Sequence, residues 1–247
     1  MKTYLSILLL AIVVPAMGAP VVIPQDTLDH FQESIAIHQN GSLDITITCS
    51  PLNGKTMDLP LEYASIENPV IESRGYQFEM DKAGVPQPVI EKRGCTFIRL
   101  IPDGNGTGVD SLVVVRFHVL DYFDWNKSKK AHDVVRFSKT FFNTSDFFIR
   151  NYQLEYRLPE GYLLHDILKT EPGFDPQKQP SPPFEVVKLD GHYMAVLTVQ
   201  DLEAAARAMM NIEMLRAKRS MIPMMIGIVL SLLYLIFYRD VLVKERD

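Results

Sequence analysis

Residues 221–238 carry no charge at all, and that run limits the architecture more than any other feature of the chain. A helix over it, at about 1.5 Å per residue, would be about 27 Å long, close to the thickness of a bilayer's hydrocarbon core. It reads as a transmembrane helix. Arg216, Lys218 and Arg219 precede it while Arg239, Lys244 and Arg246 follow it, so flanking charge does not orient it. The opposite end of the chain does. Lys2, the apolar run 5–14 and the small residues Ala16-Met17-Gly18 have the pattern of a secretory signal peptide over 1–18, cleaved after Gly18. A translocated N-terminus followed by one stop-transfer helix predicts a single-pass protein. Its expected parts are an extracytoplasmic domain over 19–200, a juxtamembrane helix over 201–220, the transmembrane helix over 221–238 and a short cytoplasmic tail over 239–247.

Two further patterns agree with that topology. Asn40, Asn105, Asn126 and Asn143 each begin an Asn-x-Ser/Thr sequon, and all lie on the expected outer side, so a glycoprotein is predicted. Cys49 and Cys95, the only cysteines, are expected to form one disulfide, as an even pair in an exported domain does. Their spacing excludes a CxxC redox pair, and two cysteines are too few for a cysteine-rich zinc site. The tail sequence Lys244-Glu245-Arg246-Asp247 departs from a dilysine retrieval signal, so the cell surface is expected rather than the endoplasmic reticulum.

With 47% hydrophobic and 22% charged residues the chain is ordinary globular material, and a net charge of -5 gives no electrostatic footprint for nucleic acid. Between the two ends the dominant period is two. Ile35 and Ile37, then Leu43, Ile45, Ile47 and Cys49, alternate with polar residues around Asn40-Gly41 and predict a hairpin. A three-residue loop, Gln39-Asn40-Gly41, pairs Ile37 with Leu43 and Ile35 with Ile45, whereas a two-residue loop would set apolar residues against charged ones. Strands are also expected over 96–101 and 112–119, on Tyr152, Leu154, Tyr156 and Leu158, and in a second hairpin, 184–189 with 192–199. That hairpin closes through a type I′ turn at Asp190-Gly191, pairing Val186 with Ala195 and Phe184 with Leu197. Residues 70–93 are weakly patterned, and the prolines of 172–183 impose extended loop. This density of strands predicts a mainly β chain with a β-sandwich-like ectodomain. Asp201 is a plausible N-cap, and 202–219, free of Gly and Pro, predicts a helix with Leu202, Ala205, Met209 and Ile212 on one stripe, continuing almost directly into the membrane.

No hydrolase, nucleotide, zinc or calcium motif occurs, so no catalytic residue and no cofactor is assigned. His118, Asp121, Asp124 and His132, with Asp133 beside them, are the residue types a divalent metal would want, at a spacing that matches no defined site. Tyr122, Phe123 and Trp125 lie in the same stretch among lysines and aspartates. They are either interface anchors or a lid folded over the open end of the sandwich, and a glycan on Asn126 would favour the lid. Gly227 and Ser231 form a small-xxx-small pair that lets a second membrane helix approach. Together these features predict a membrane-anchored extracytoplasmic binding or structural module. Its expected partners are the membrane and other membrane or extracellular proteins. An accessory subunit of a membrane complex and an extracytoplasmic hydrolase with acids from separate strands are the alternatives.

Overall fold

The computed structural model describes residues 26–52, 54–63, 65–104, 112–130, 133–175, 177, 179–217 and 222–244. The signal-like segment and the Asn105 sequon lie outside them. Alternation governs the backbone from the first strands onward. Phe31, Glu33, Ile35 and Ile37 are buried and the residues between them are not, and Leu43, Ile45, Ile47 and Cys49 repeat the pattern. In chain order the strands are β1 (Thr27–Leu28), β2 (Phe31–Ile37), β3 (Leu43–Cys49), β4 (Met57–Leu61), β5 (Glu67–Ile71), β6 (Tyr76–Met80), β7 (Pro86–Gln87) and β8 (Val89–Lys92). There follow β9 (Cys95–Pro102), β10 (Val113–Val119), a one-turn helix α1 (Trp125–Ser128), β11 (Val134–Phe142), β12 (Phe148–Arg157) and β13 (Tyr162–Glu171). The chain then forms β14 (Phe184–Leu189), β15 (His192–Leu202), β16 (Arg207–Arg216) and the helix α2 (Ile222–Lys244).

Among the described residues these strands make three sheets. The largest has eight strands, in the order β14-β15-β12-β2-β3-β10-β5, with β1 pairing parallel to β12. A three-stranded sheet runs β11-β16-β13, and a five-stranded one runs β4-β9-β6-β7 with β8 on β9. One hydrophobic cluster joins all three, from Phe31 and Val115 through Leu59 and Ile98 to Phe137 and Met210. The chain is therefore mainly β, as its period predicts.

Both predicted hairpins form in the predicted register. Ile37 pairs with Leu43 and Ile35 with Ile45, and His38 N donates to Ser42 O at 3.0 Å to close the three-residue loop. Val186 pairs with Ala195 and Phe184 with Leu197, with Asp190 at φ 51° and Gly191 at φ 81°, both left-handed as a type I′ turn requires. The weakly patterned 70–93 stretch holds the short strands β6, β7 and β8 and the close of β5.

The juxtamembrane helix expected over 201–220 is not formed in its described part, residues 201–217. Asp201 is in β15 at φ 57° instead of capping a helix, and residues 207–216 are strand β16. The strand is central in its sheet, paired from Arg207 to Leu215 with β11 and from Met209 to Arg216 with β13. Those two ladders override the helical propensity of an Ala-, Met- and Glu-rich segment. Ala208, Met210, Ile212 and Met214 are all fully buried, a period of two, while Met209 on the supposed helical stripe faces the other way. The long continuous stalk expected from this helix is thereby excluded. The helix restarts at Ile222 with Pro223 in its first turn, where a missing N–H costs nothing.

The expected disulfide is also absent: Cys49 and Cys95 are both free. Cys49 ends β3, opposite Phe31 and Val113 in the eight-stranded sheet, while Cys95 opens β9, opposite Lys92 in the five-stranded sheet. Each follows the apolar phase of its own strand, but the strands belong to different sheets, and shared phase does not bring two residues together. Among the described residues no helix is long and apolar enough to cross a membrane.

Candidate functional site

Cross-strand pairing assembles a polar surface on the outward face of the largest sheet. Arg157 of β12 pairs with Ala36 of β2, Ala36 with Asp44 of β3, and Asp44 with His118 of β10, so these four make one row. The next row, by the same registers, is Glu155, Ser34, Thr46 and Arg116. Asp44 accepts from two imidazoles at once, His38 Nε2 at 2.7 Å and His118 Nδ1 at 2.6 Å. Burial opposes ionisation of Asp44, but the bonds from His118 and His38 outweigh it and hold the carboxyl below its ordinary range. Gln32 Nε2 and Ser34 Oγ donate to Glu155 at 2.9 and 3.2 Å, and Arg116 meets Glu72 at 3.1 Å.

Two open concavities meet on this face. One, of about 580 Å³, lies over Ser34, Thr46, Asn68, Arg116 and His118, and the other, of about 390 Å³, over His38, Leu158, Glu160 and His192. Ala36, Asp44 and Arg157 line both. The small Ala36 side chain leaves a floor between the Arg157 guanidinium and the Asp44 cluster. Such a surface offers donors and acceptors of both charges to a polar ligand.

The residues expected to hold a metal do not converge. His118 is committed to Asp44, and Asp124 caps α1, accepting from Asn126 N at 3.0 Å and Lys127 N at 3.1 Å. Those Lys127 and Asn126 bonds hold the Asp124 carboxyl below its usual range. Asp121 is an exposed bend residue at φ 48°, and His132 lies outside the described residues. No group of three His, Cys, Asp or Glu among the described residues is placed to hold a metal.

Tyr122, Phe123 and Trp125 fold back over the end of the core, which is the lid alternative. Phe123 sits 5.3 Å from Phe137, Tyr122 5.7 Å from Tyr63, and Trp125 meets Tyr162 edge-on at 5.3 Å. Gly41 makes the lid possible, because a Cβ there would lie 2.0 Å from Phe123 O. Of the sequons, Asn40 and Asn126 are exposed. Asn143 is fully buried, and its Nδ2 donates to Phe147 O at 3.0 Å and Glu203 O at 3.1 Å, so a glycan there is incompatible with the fold. Ile212 is core, Met209 is half-buried, and Ser231 Oγ turns back to Gly227 O at 2.8 Å within α2.

Two buried charges escape a reading by hydropathy alone. Glu33, 2% exposed, accepts from the Tyr63 hydroxyl and, at 3.1 Å, from the Tyr152 hydroxyl. Lys139, also 2% exposed, donates to Thr140 O at 2.8 Å, pairs with Glu62 at 3.4 Å and lies 4.6 Å from the Tyr63 ring centre. The signal for both is parity, since each occupies an inward position of an otherwise apolar alternation. A third concavity, of about 210 Å³, contains Asp26, Asp58 and Asp146 beside Cys95. All three carboxylates are ion-paired, with Lys55, Arg99 and Arg93 respectively.

No protein-family model matches the sequence, and no curated protein does. Weak likenesses exist among solved structures. A putative protease from Parabacteroides distasonis has a TM-score of 0.35 at 10% identity, covering 75% of this chain and 40% of that one. An aminopeptidase N family protein from Idiomarina loihiensis has a TM-score of 0.36 at 14% identity, covering 73% and 29%. The folded domain of LppM from Mycobacterium tuberculosis has a TM-score of 0.31 at 9% identity, covering 82% and 98%. This chain thus spans less than half the length of either peptidase. Scores of this size leave fold and function to be argued from the chain's own residues.

Proposed function

We propose that this chain is a membrane-anchored extracytoplasmic binding module, a sandwich-like β domain held at a bilayer by one C-terminal helix. The observation that carries the reading is the surface of α2. From Met225 to Ile236 every side chain is exposed, Leu235 at 64% and Ile228 at 44%, with apolar residues on all sides. A helix apolar all round needs cover on all sides, and none of the described residues provides it. Lipid would. The 23 residues of α2 make a helix about 35 Å long. The signal-like pattern of 1–18 in the sequence supports an outer position for the β domain. The binding surface is then the polar face around Ala36, Asp44 and Arg157, where Arg157 has no ion-pair partner among the described residues.

The test is topology. Expressed with a C-terminal epitope, the chain should stay in the membrane pellet through alkaline carbonate, and protease added to intact cells should remove the β domain while leaving the epitope. Release by carbonate would refute the anchor.

A further inference from the structure

We propose that one end of the β domain rests on the lipid surface, with Trp125 at the headgroup level; this deepens the membrane-anchored reading and depends on it. Strand register identifies the end. The last paired residues of β16, Leu215 and Arg216, lie opposite Val134 and Tyr162, the first residues of β11 and β13. The chain therefore leaves the domain beside the start of β11, at the end where residues 120–130 lie. The β14–β15 turn belongs to the same end, since Leu158 N, just past β12, donates to Tyr193 O at 2.9 Å next to that turn.

The tether is short. Ala217 N still donates to Gly161 O at 2.7 Å, so the domain holds the chain as far as residue 217, and α2 begins at Ile222. Five peptide links reach at most about 18 Å when fully extended. A domain fixed that closely turns its exit end to the bilayer.

The side chains at that end suit an interface. Leu120 is 41% and Leu189 55% exposed, two uncovered aliphatics at this end of the strands. Trp125 packs edge-on against Tyr162 and remains partly open, as the amphipathic indole does in interfacial belts. Lys130 is exposed, on a stem long enough to reach a lipid phosphate. The carboxylates of the loop are largely answered within it, Asp124 by Lys127 at 3.2 Å and Asp133 by Lys129 at 2.5 Å. Glu160 and Asp190 are also at this end and exposed, so the contact is shallow, among headgroups and water.

Trp125 is the only tryptophan of the chain, so the intact protein carries its own probe. Full-length protein is reconstituted into phosphatidylcholine vesicles with and without a headgroup-attached nitroxide quencher, and flotation is measured on the same samples. The expected result is co-flotation with a loss of Trp125 emission of about two-fold, because the indole is within short range of the headgroups. The control is W125F/F142W, which moves the probe to the far end of β11, about 26 Å along the strand from Val134. Its emission should be unchanged by the quencher. Flotation with equal quenching of both proteins overturns the docking proposal and leaves the anchor standing. Failure to float overturns both. A glycan on Asn126 in native protein, found by mass spectrometry of the tryptic peptide, would also overturn the docking, since it would hold this end off the headgroups.

Discussion

At Gly41 two constraints coincide. The residue sits at φ 86°, and a Cβ would meet the Phe123 carbonyl oxygen at 2.0 Å. Gly191 has the first constraint, φ 81°, without the second, since nothing lies within 4 Å of its would-be Cβ. Gly191→Ala should therefore cost about 1 kcal/mol, the ordinary strain of a left-handed L-residue. Gly41→Ala should cost about 3 kcal/mol or more, because the hairpin tip or the aromatic lid must move. Urea denaturation followed by Trp125 fluorescence separates the two, and equal costs would mean the lid yields freely. The free cysteines offer a second check at this scale. Burial pushes the Cys49 thiol up to about 12, whereas Cys95 is partly accessible beside the pocket of Asp58. Iodoacetamide at pH 8 should label Cys95 in native protein and Cys49 only after unfolding. Two blocked thiols in unreduced denatured protein would contradict the structure.

Among the elements, β16 is the one whose secondary structure propensity misreports. Helical and strand readings of 202–219 differ in what they say of Met209 and Ile212. On a helix both share a stripe; on the strand Ile212 enters the core and Met209 does not. Ile212→Ala should then cost about 3 kcal/mol and Met209→Ala under about 1 kcal/mol. Comparable costs would restore the helical stripe. In the five-stranded sheet, Asp58 of β4 joins β8 and β9 through Lys92 at 3.1 Å and a bidentate Arg99 at 2.7 and 2.9 Å. The Arg99 bonds, against the opposing effect of burial, hold the Asp58 carboxyl below its ordinary range. The folded pKa is thus lower than the unfolded one, near 3.9. Below pH 3.9 the unfolded chain binds the extra proton first, so the stabilisation is complete above that pH and is lost as pH falls through the folded pKa. Asp58→Asn should be less stable at pH 6, and the difference should shrink on acidification. A difference that stays constant down to pH 2 would place the interaction elsewhere.

At the scale of the whole molecule, the three sheets share one core, and polar groups buried in it connect them. Glu33 belongs to the eight-stranded sheet, Tyr63 to the segment after β4 of the five-stranded sheet, and Lys139 to the three-stranded sheet. Burial, reinforced by the Glu33 charge, pushes the Tyr63 and Tyr152 hydroxyls well above their ordinary range, so both remain donors. Glu33→Leu would strand two hydroxyls away from water and should cost about 3 kcal/mol, more than Glu33→Gln, which keeps an acceptor. Equal stability of the leucine variant and the parent would show that the cluster contributes shape alone.

Local alternation was enough to determine the strands around 35–49, 96–101, 112–119, 152–158 and 184–199, the register of both hairpins and their left-handed turn residues. Each depends on neighbours a few positions apart, where side-chain phase and turn chemistry are written directly in the chain. The apolar, uncharged character of residues 221–238 is equally a property of the sequence itself. The polar face was not legible, because Arg157, Ala36, Asp44 and His118 are brought into one row only by long-range strand pairing. Pairing also decided that His118 serves Asp44 instead of a metal set, that the two cysteines part into separate sheets, and that residues 207–216 extend. For β16 the physical reason is a ladder on each side: two full sets of backbone hydrogen bonds and an inward row of Ala208, Met210, Ile212 and Met214 outweigh a helix preference of a few tenths of a kcal/mol per residue, and only the assembled sheet supplies them.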